Sequence, residues 1–297
     1  MELKNFEGIM TALVTPLTKD NAVDVPKLEK LIDFQLENGV KGLLILGGTG
    51  EYSALTMEVR EQAVRETVRY TNGRVPVVAG VLEPGIGECI KFCQACKQAG
   101  ADGLLVLTPF YVHPTQEGIA DFFRTVDQAV DMPLLIYNIP YRTNVNILPE
   151  TVEQLVSERP NIVGMKECSP NFGQAVELIQ RVGDRICVLS GEEFLMSGEI
   201  LMGAKGAIMA SANLIPDVWV RLYELAAQRK TQELAALLKQ YYPLIKLLFK
   251  EINPGPLKYA MGRIGLDMGP VSIPLREPSD ALKAELDAEM KKLGLLK

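Results

Sequence analysis

Residues 134–166 read LLIYNIPYRTNVNILPETVEQLVSERPNIVGMK, and this stretch contains the repeating unit of the chain. Leu134–Tyr137 is a short apolar run, broken by Asn138-Ile-Pro140. A helix-period segment opens on Pro149 and runs to Ser157, and Ile162–Met165 is apolar again. Proline suits a first helical turn, where its missing N–H has no partner to lose. Both apolar runs are continuous rather than alternating, which is how strands read when a parallel sheet is covered on both faces.

Working outward, the same strand reading applies to Ile9–Val14, Gly42–Leu46, Val75–Gly80, Gly103–Leu107, Cys187–Leu189 and Ala207–Ala210. Helix-period segments lie between them, such as Val25–Asn38 before Gly39 and a helix over 56–70 with Thr56 as N-cap and Glu58 in its first turn. Eight strands in strict alternation with helices predict a (β/α)₈ TIM barrel; a doubly wound open sheet is the alternative, and the count of eight favours the barrel. Beyond the eighth strand, Asp217–Arg229, Gln232–Lys250, Pro256–Ile264 and Ser279–Leu293 read as helices without strands. The expected division is a catalytic barrel over 1–225 and a C-terminal helical region over 226–297 packed on it.

The 297 residues are 47% hydrophobic and 23% charged, ample for a large core. A net charge of −6 and a pI near 5.1, with no concentrated Lys/Arg face, argue against nucleic acid as a partner. No apolar run is long enough for a membrane span, and Met1-Glu-Leu-Lys-Asn-Phe-Glu7 carries no apolar signal core, so a soluble, cytoplasmic protein is expected. A lone histidine, His113, excludes a multi-histidine zinc site, and no metal is expected.

Cys89, Cys93 and Cys96 reproduce the Cys-x-x-x-Cys-x-x-Cys spacing that radical-SAM enzymes use for an iron–sulfur cluster. The same positions are i, i+4 and i+7 of an uninterrupted helical pattern, and free cysteine behaves as a small buried hydrophobe. The core reading is preferred.

In such a barrel, catalytic residues stand at the C-terminal ends of the strands. Those positions carry Thr15-Pro16, Gly47-Gly-Thr-Gly-Glu51, Thr108-Pro-Phe-Tyr111, Tyr137 to Arg142, Lys166-Glu167, Ser190-Gly191 and Ser211-Ala212. Met165 and Lys166 must face opposite sides of their strand, so an inward Lys166 brings its amine into an apolar mouth. Desolvation there favours the uncharged, nucleophilic form. Without metal-binding histidines, a lysine Schiff base is the usual electron sink for aldol chemistry. Tyr137, one strand back, is placed to move a proton, and Arg142 at the rim suits bidentate capture of a carboxylate. As a lone Gly-rich turn, 47–51 is a weak signal whose N–H groups suit a small carboxylate.

Ala12-Leu-Val-Thr-Pro16, Gly47-Gly-Thr-Gly-Glu51, Thr108-Pro-Phe-Tyr111, Tyr137-Asn-Ile-Pro140, Arg142-Thr143 and Gly164-Met-Lys-Glu167 together resemble the dihydrodipicolinate synthase and N-acetylneuraminate lyase superfamily over essentially the whole chain. Arg142-Thr143 and Glu251-Ile-Asn-Pro-Gly-Pro-Leu-Lys258 are similar to its synthase branch. The resemblance implies a lyase that condenses pyruvate, held as a Schiff base on Lys166, with an aldehyde, L-aspartate 4-semialdehyde being favoured. Tyr137 would relay protons, and Tyr111 would complete the relay across a dimer interface within a homotetramer. Gly48, Thr49, Arg142, Gly191 and Ile208 would bind substrate, and no cofactor beyond the covalent Schiff base is implied. Gly48 stands where the synthases usually carry a hydroxyl that links the two tyrosines; Tyr141 and Asn144 also depart from the usual pattern. A keto-deoxy sugar acid or neuraminate-type aldolase or dehydratase of the same superfamily is the alternative reading. A radical-SAM enzyme and a non-catalytic binding barrel are the remote ones.

Overall fold

A computed structural model describes residues 6–296; Met1–Asn5, where the stretch read for a signal core begins, and Lys297 lie outside the described residues. Eight strands, β1 Gly8–Ala12, β2 Gly42–Ile45, β3 Val77–Val81, β4 Gly103–Leu107, β5 Leu134–Asn138, β6 Ile162–Glu167, β7 Cys187–Ser190 and β8 Gly206–Met209, form a closed barrel in sequence order. Every pairing is parallel, and β1 closes the ring by pairing with β8. The alternation of strands and helices thus resolves as the (β/α)₈ barrel.

Strand period and barrel closure together divide the apolar side chains into two cores. Met10, Leu44, Val78, Leu105, Leu135, Leu189 and Ile208 fill the interior, with Phe6 among them. The alternate residues, among them Ile9, Leu43, Ile45, Val77, Leu104, Ile136 and Met165, pack outward against the helices. Each such buried aliphatic side chain contributes about 1.5–3 kcal/mol relative to exposure.

Helix starts follow the local chemistry: Asp24, Thr56, Thr115, Asn171 and Ser279 each accept a first-turn backbone N–H. Cys89, Cys93 and Cys96 all lie on the buried face of the helix Ile86–Gln98. Burial holds the Cys96 thiol up at about 12, and a hydrogen bond with Cys89, together with burial, pushes Cys93 well above the ordinary thiol range. Their spacing is the buried stripe of one helix.

Strand β6 runs two residues beyond the apolar run, through Glu167, because Lys166 and Glu167 continue to pair with Leu189 and Ser190 on one side and with Tyr137 and Asn138 on the other. After Pro216–Ala227, the helices Thr231–Leu248, Gly255–Arg263 and Asp280–Lys292 pack on one another, and the turn between the first two reaches over the barrel mouth. No helix among the described residues is long and apolar enough to cross a membrane.

Candidate active site

Strand parity sets the site. Gly164, Lys166 and Cys168 face inward, so the lysine rises through the barrel into a cleft of about 300 Å³ at the C-terminal ends of the strands. Lys166 is only 7% exposed, and its Nζ stands 4.8 Å from the centre of the Tyr137 ring, its register partner on β5. Burial drives the Tyr137 phenol well above the ordinary tyrosine range, with Arg142 opposing the rise. The Tyr137 phenol is therefore protonated at neutral pH, not a standing phenolate.

Gly191 makes the lysine's course possible. A Cβ added there would lie 2.1 Å from Cys168 Sγ and 2.7 Å from Lys166 Cε, so any side chain would push the lysine aside. Gly191 and Ile208 both line the cleft, as do Gly48, Thr49 and Arg142. The expected substrate-binding residues and two of the three expected catalytic ones thus meet in one place.

The third does not. Tyr111 is 88% exposed, held at φ 74° in a loop outside this chain's own cleft. Beside the cleft, a second cavity of about 360 Å³ is lined by Leu82, Leu107 and Phe110 and shares Gly48, Tyr137, Arg142 and Asn253 with it. A Cβ at Gly48 would meet nothing within 4 Å, so there is space for the hydroxyl-bearing side chain that this sequence does not carry.

The loop Gly47–Glu51 is held from three directions. Thr15 donates to the Gly50 carbonyl at 2.7 Å, and Asn253 Nδ2 donates to Thr49 Oγ1 at 2.9 Å. Glu51, in the left-handed region at φ 62°, carries a fully buried carboxylate that pairs with Lys258 at 2.6 Å and accepts from the Ser272 N–H. The Asn-Pro-Gly-Pro-Leu-Lys segment is thereby a clamp on the loop beside Lys166.

Several lining residues were not anticipated: Cys168, Glu192, Glu193, Phe194, Phe249, Ile252 and Asn253. Parity with Lys166 signals Cys168; the others sit on loops whose direction no periodicity encodes. Burial raises both Glu192 and Glu193, the latter accepting from the Ala210 and Ser211 N–H groups. Among the described residues, no cluster of His, Cys, Asp or Glu is arranged to hold a metal ion.

The model of the Dihydrodipicolinate synthetase family matches residues 5–293. A Methanococcus maripaludis protein named 4-hydroxy-tetrahydrodipicolinate synthase is 38% identical over 292 residues, which are 98% of this chain and 100% of that protein. The dihydrodipicolinate synthase of Aquifex aeolicus superposes with a TM-score of 0.94 at 36% identity, over 98% of this chain and 99% of the other. The chloride-inhibited dihydrodipicolinate synthase of Acinetobacter baumannii, solved as a complex with pyruvate, gives 0.93 at 34% identity over the same shares. With a barrel, a cleft lysine and a matched length of this extent, the chain belongs to the dihydrodipicolinate synthetase family.

Proposed function

We propose that this protein is a lyase that condenses pyruvate with L-aspartate 4-semialdehyde, the reaction of a 4-hydroxy-tetrahydrodipicolinate synthase. The observation that carries the reading is the buried Lys166 amine beside Tyr137, in a cleft with Thr49 and Arg142 in its wall. The amine attacks C2 of pyruvate, and the carbinolamine loses water, with Tyr137 supplying the proton that hydroxide departure needs. Loss of a proton from C3 of the imine yields an enamine, which adds to the aldehyde carbon. Thr49 and the Gly48 backbone hold the pyruvate carboxylate, and Arg142 holds that of the second substrate. The covalent lysine supplies the electron sink, so the reading needs no cofactor.

Tyr111 completes this picture only in an assembly. Its ring stands free on this chain, and we read it as part of a neighbouring copy's relay, within a homotetramer built from tight dimers.

A coupled assay with pyruvate and aspartate semialdehyde, run beside a panel of keto-deoxy sugar acids, tests the substrate assignment. Turnover of the aldehyde pair alone is expected; cleavage of a sugar acid in its place would move the chain to the aldolase branch.

Gly191→Ala is expected to lower kcat about 100-fold, because displacing the reacting nitrogen by roughly 1 Å forfeits that much. The overpacking itself costs only about 1–3 kcal/mol of stability. Steady-state kinetics beside a thermal melt separate the two effects, and a variant with wild-type turnover would show that the lysine's course is not constrained there.

A further inference from the structure

On the outer face of the barrel, behind Lys166, lies a buried polar network that touches no part of the cleft. Glu167, 1% exposed, accepts from Asn138 Nδ2 at 2.9 Å, from the Ser169 N–H at 2.6 Å and from Gln174 Nε2 at 3.2 Å. Asn138 Nδ2 also donates to Asn146 Oδ1 at 2.8 Å, and the Ile147 N–H donates back to Asn138 Oδ1 at 3.3 Å. Asn146 and Gln174 exchange two further bonds, at 2.8 and 3.1 Å.

The register gives this network a reach into the site. Asn138 opposes Glu167 in the same strand pair, and by one residue's offset, in which Tyr137 opposes Lys166. A side-chain bond across the outer face therefore fixes how the last residues of β5 and β6 sit against each other. The same bonds tie down Asn146 and Ile147, at the end of the segment that carries Arg142. Every group aimed at Glu167 is a donor, so only an ionised carboxylate satisfies them all.

We propose that Glu167 is a positioning residue for the Lys166–Tyr137 pair, setting the amine and the phenol relative to each other from outside the barrel. The proposal rests on the Schiff-base reading above. Burial raises Glu167 to about 7 against the pull of its donors. The ionised form that the network requires is lost as pH falls through that value. Other titratable groups near it are Glu199 on the helix Met196–Met202, also raised to about 7 by burial, and the Cys168 thiol, raised by burial as well.

The test is the single-turnover rate of borohydride-trapped pyruvate adduct at saturating pyruvate, measured across pH with the full-length chain. Glu167→Gln keeps the shape but turns an NH₂ toward donors, and the rate is expected to fall about 10- to 100-fold. KM for pyruvate should move by less than about twofold, since the carboxylate loop lies on another strand. The wild-type rate should fall on the acid side with a midpoint near 7, and Glu167→Gln should lose that limb. Gln174→Met, at the network's edge, removes one donor and should slow trapping about three- to tenfold, keeping the question answerable if Glu167→Gln does not fold. An acid limb that survives in Glu167→Gln, or variants that melt lower but trap at the wild-type rate per folded molecule, would overturn the positioning role. A wild type that cannot be trapped would overturn the Schiff-base reading first, and this proposal with it.

Discussion

Borohydride added to the protein with pyruvate is expected to leave a reduced adduct on the peptide containing Gly164–Glu167, and Lys166→Ala is expected to carry none. The selectivity follows from burial and pairing. Most lysines among the described residues are exposed to solvent. Among the described residues Lys258 is the other deeply buried one, and its amine is engaged with Glu51 at 2.6 Å and the Pro270 carbonyl at 2.8 Å. Among the described residues, Lys166 is the one lysine that lines the cleft at the barrel mouth, with the Tyr137 phenol beside it. Removing a covalent nucleophile leaves only binding and positioning, so turnover should drop by roughly 10⁴-fold or more. Lys166→Arg should be equally inactive, because a guanidinium does not deprotonate and is never free to attack. Mass mapping of the trapped protein decides the matter; an adduct on a different lysine, or turnover in Lys166→Ala, would sink the mechanism.

Lys258→Met is expected to have the largest effect on stability. It leaves the Glu51 carboxylate, whose side chain is 0% exposed, without its cation. Breaking a buried pair from one side costs about 3–5 kcal/mol, which for a chain of this size lowers the melting temperature by about 5–8 °C. The loop Gly47–Glu51 also loses one of its ties, so KM for pyruvate should rise in the protein that remains folded. Glu51→Gln combined with Lys258→Met removes both charges and should recover a large part of the lost stability. Differential scanning calorimetry of wild type, single and double variants measures this directly. A single variant that melts within a degree or two of wild type would show that the pair contributes little.

The barrel was legible because continuous apolar runs such as Gly103–Leu107 leave a two-sided buried strand as the natural reading, and eight of them leave little choice of closure. Lys166 and Tyr137 were legible for the same reason, since strand period sends alternate residues inward. What escaped belongs to contacts that no local pattern encodes. Asn253 meets Thr49 across 204 positions of chain, and Lys258 meets Glu51 across a comparable distance. The outward face of Glu167 gains its meaning from Asn146 and Gln174, which nothing near it in sequence announces. Cys89, Cys93 and Cys96 show the opposite difficulty: a cluster motif and a helical stripe share one spacing, and only the helix Ile86–Gln98 separates them.

Met165, Lys166 and Glu167 place an apolar side chain outward, an amine inward and a carboxylate outward on three successive steps of β6. Each step is correct only in its own phase. Deleting Met165 would turn the carboxylate into the cleft and the amine outward, into the apolar layer that Met165 fills, misplacing both charges at once. A point substitution along β6 changes one side chain and leaves its neighbours in phase, as a change of spelling. The strand's frame cannot shift, and natural variation here should consist of replacements without a single insertion or deletion.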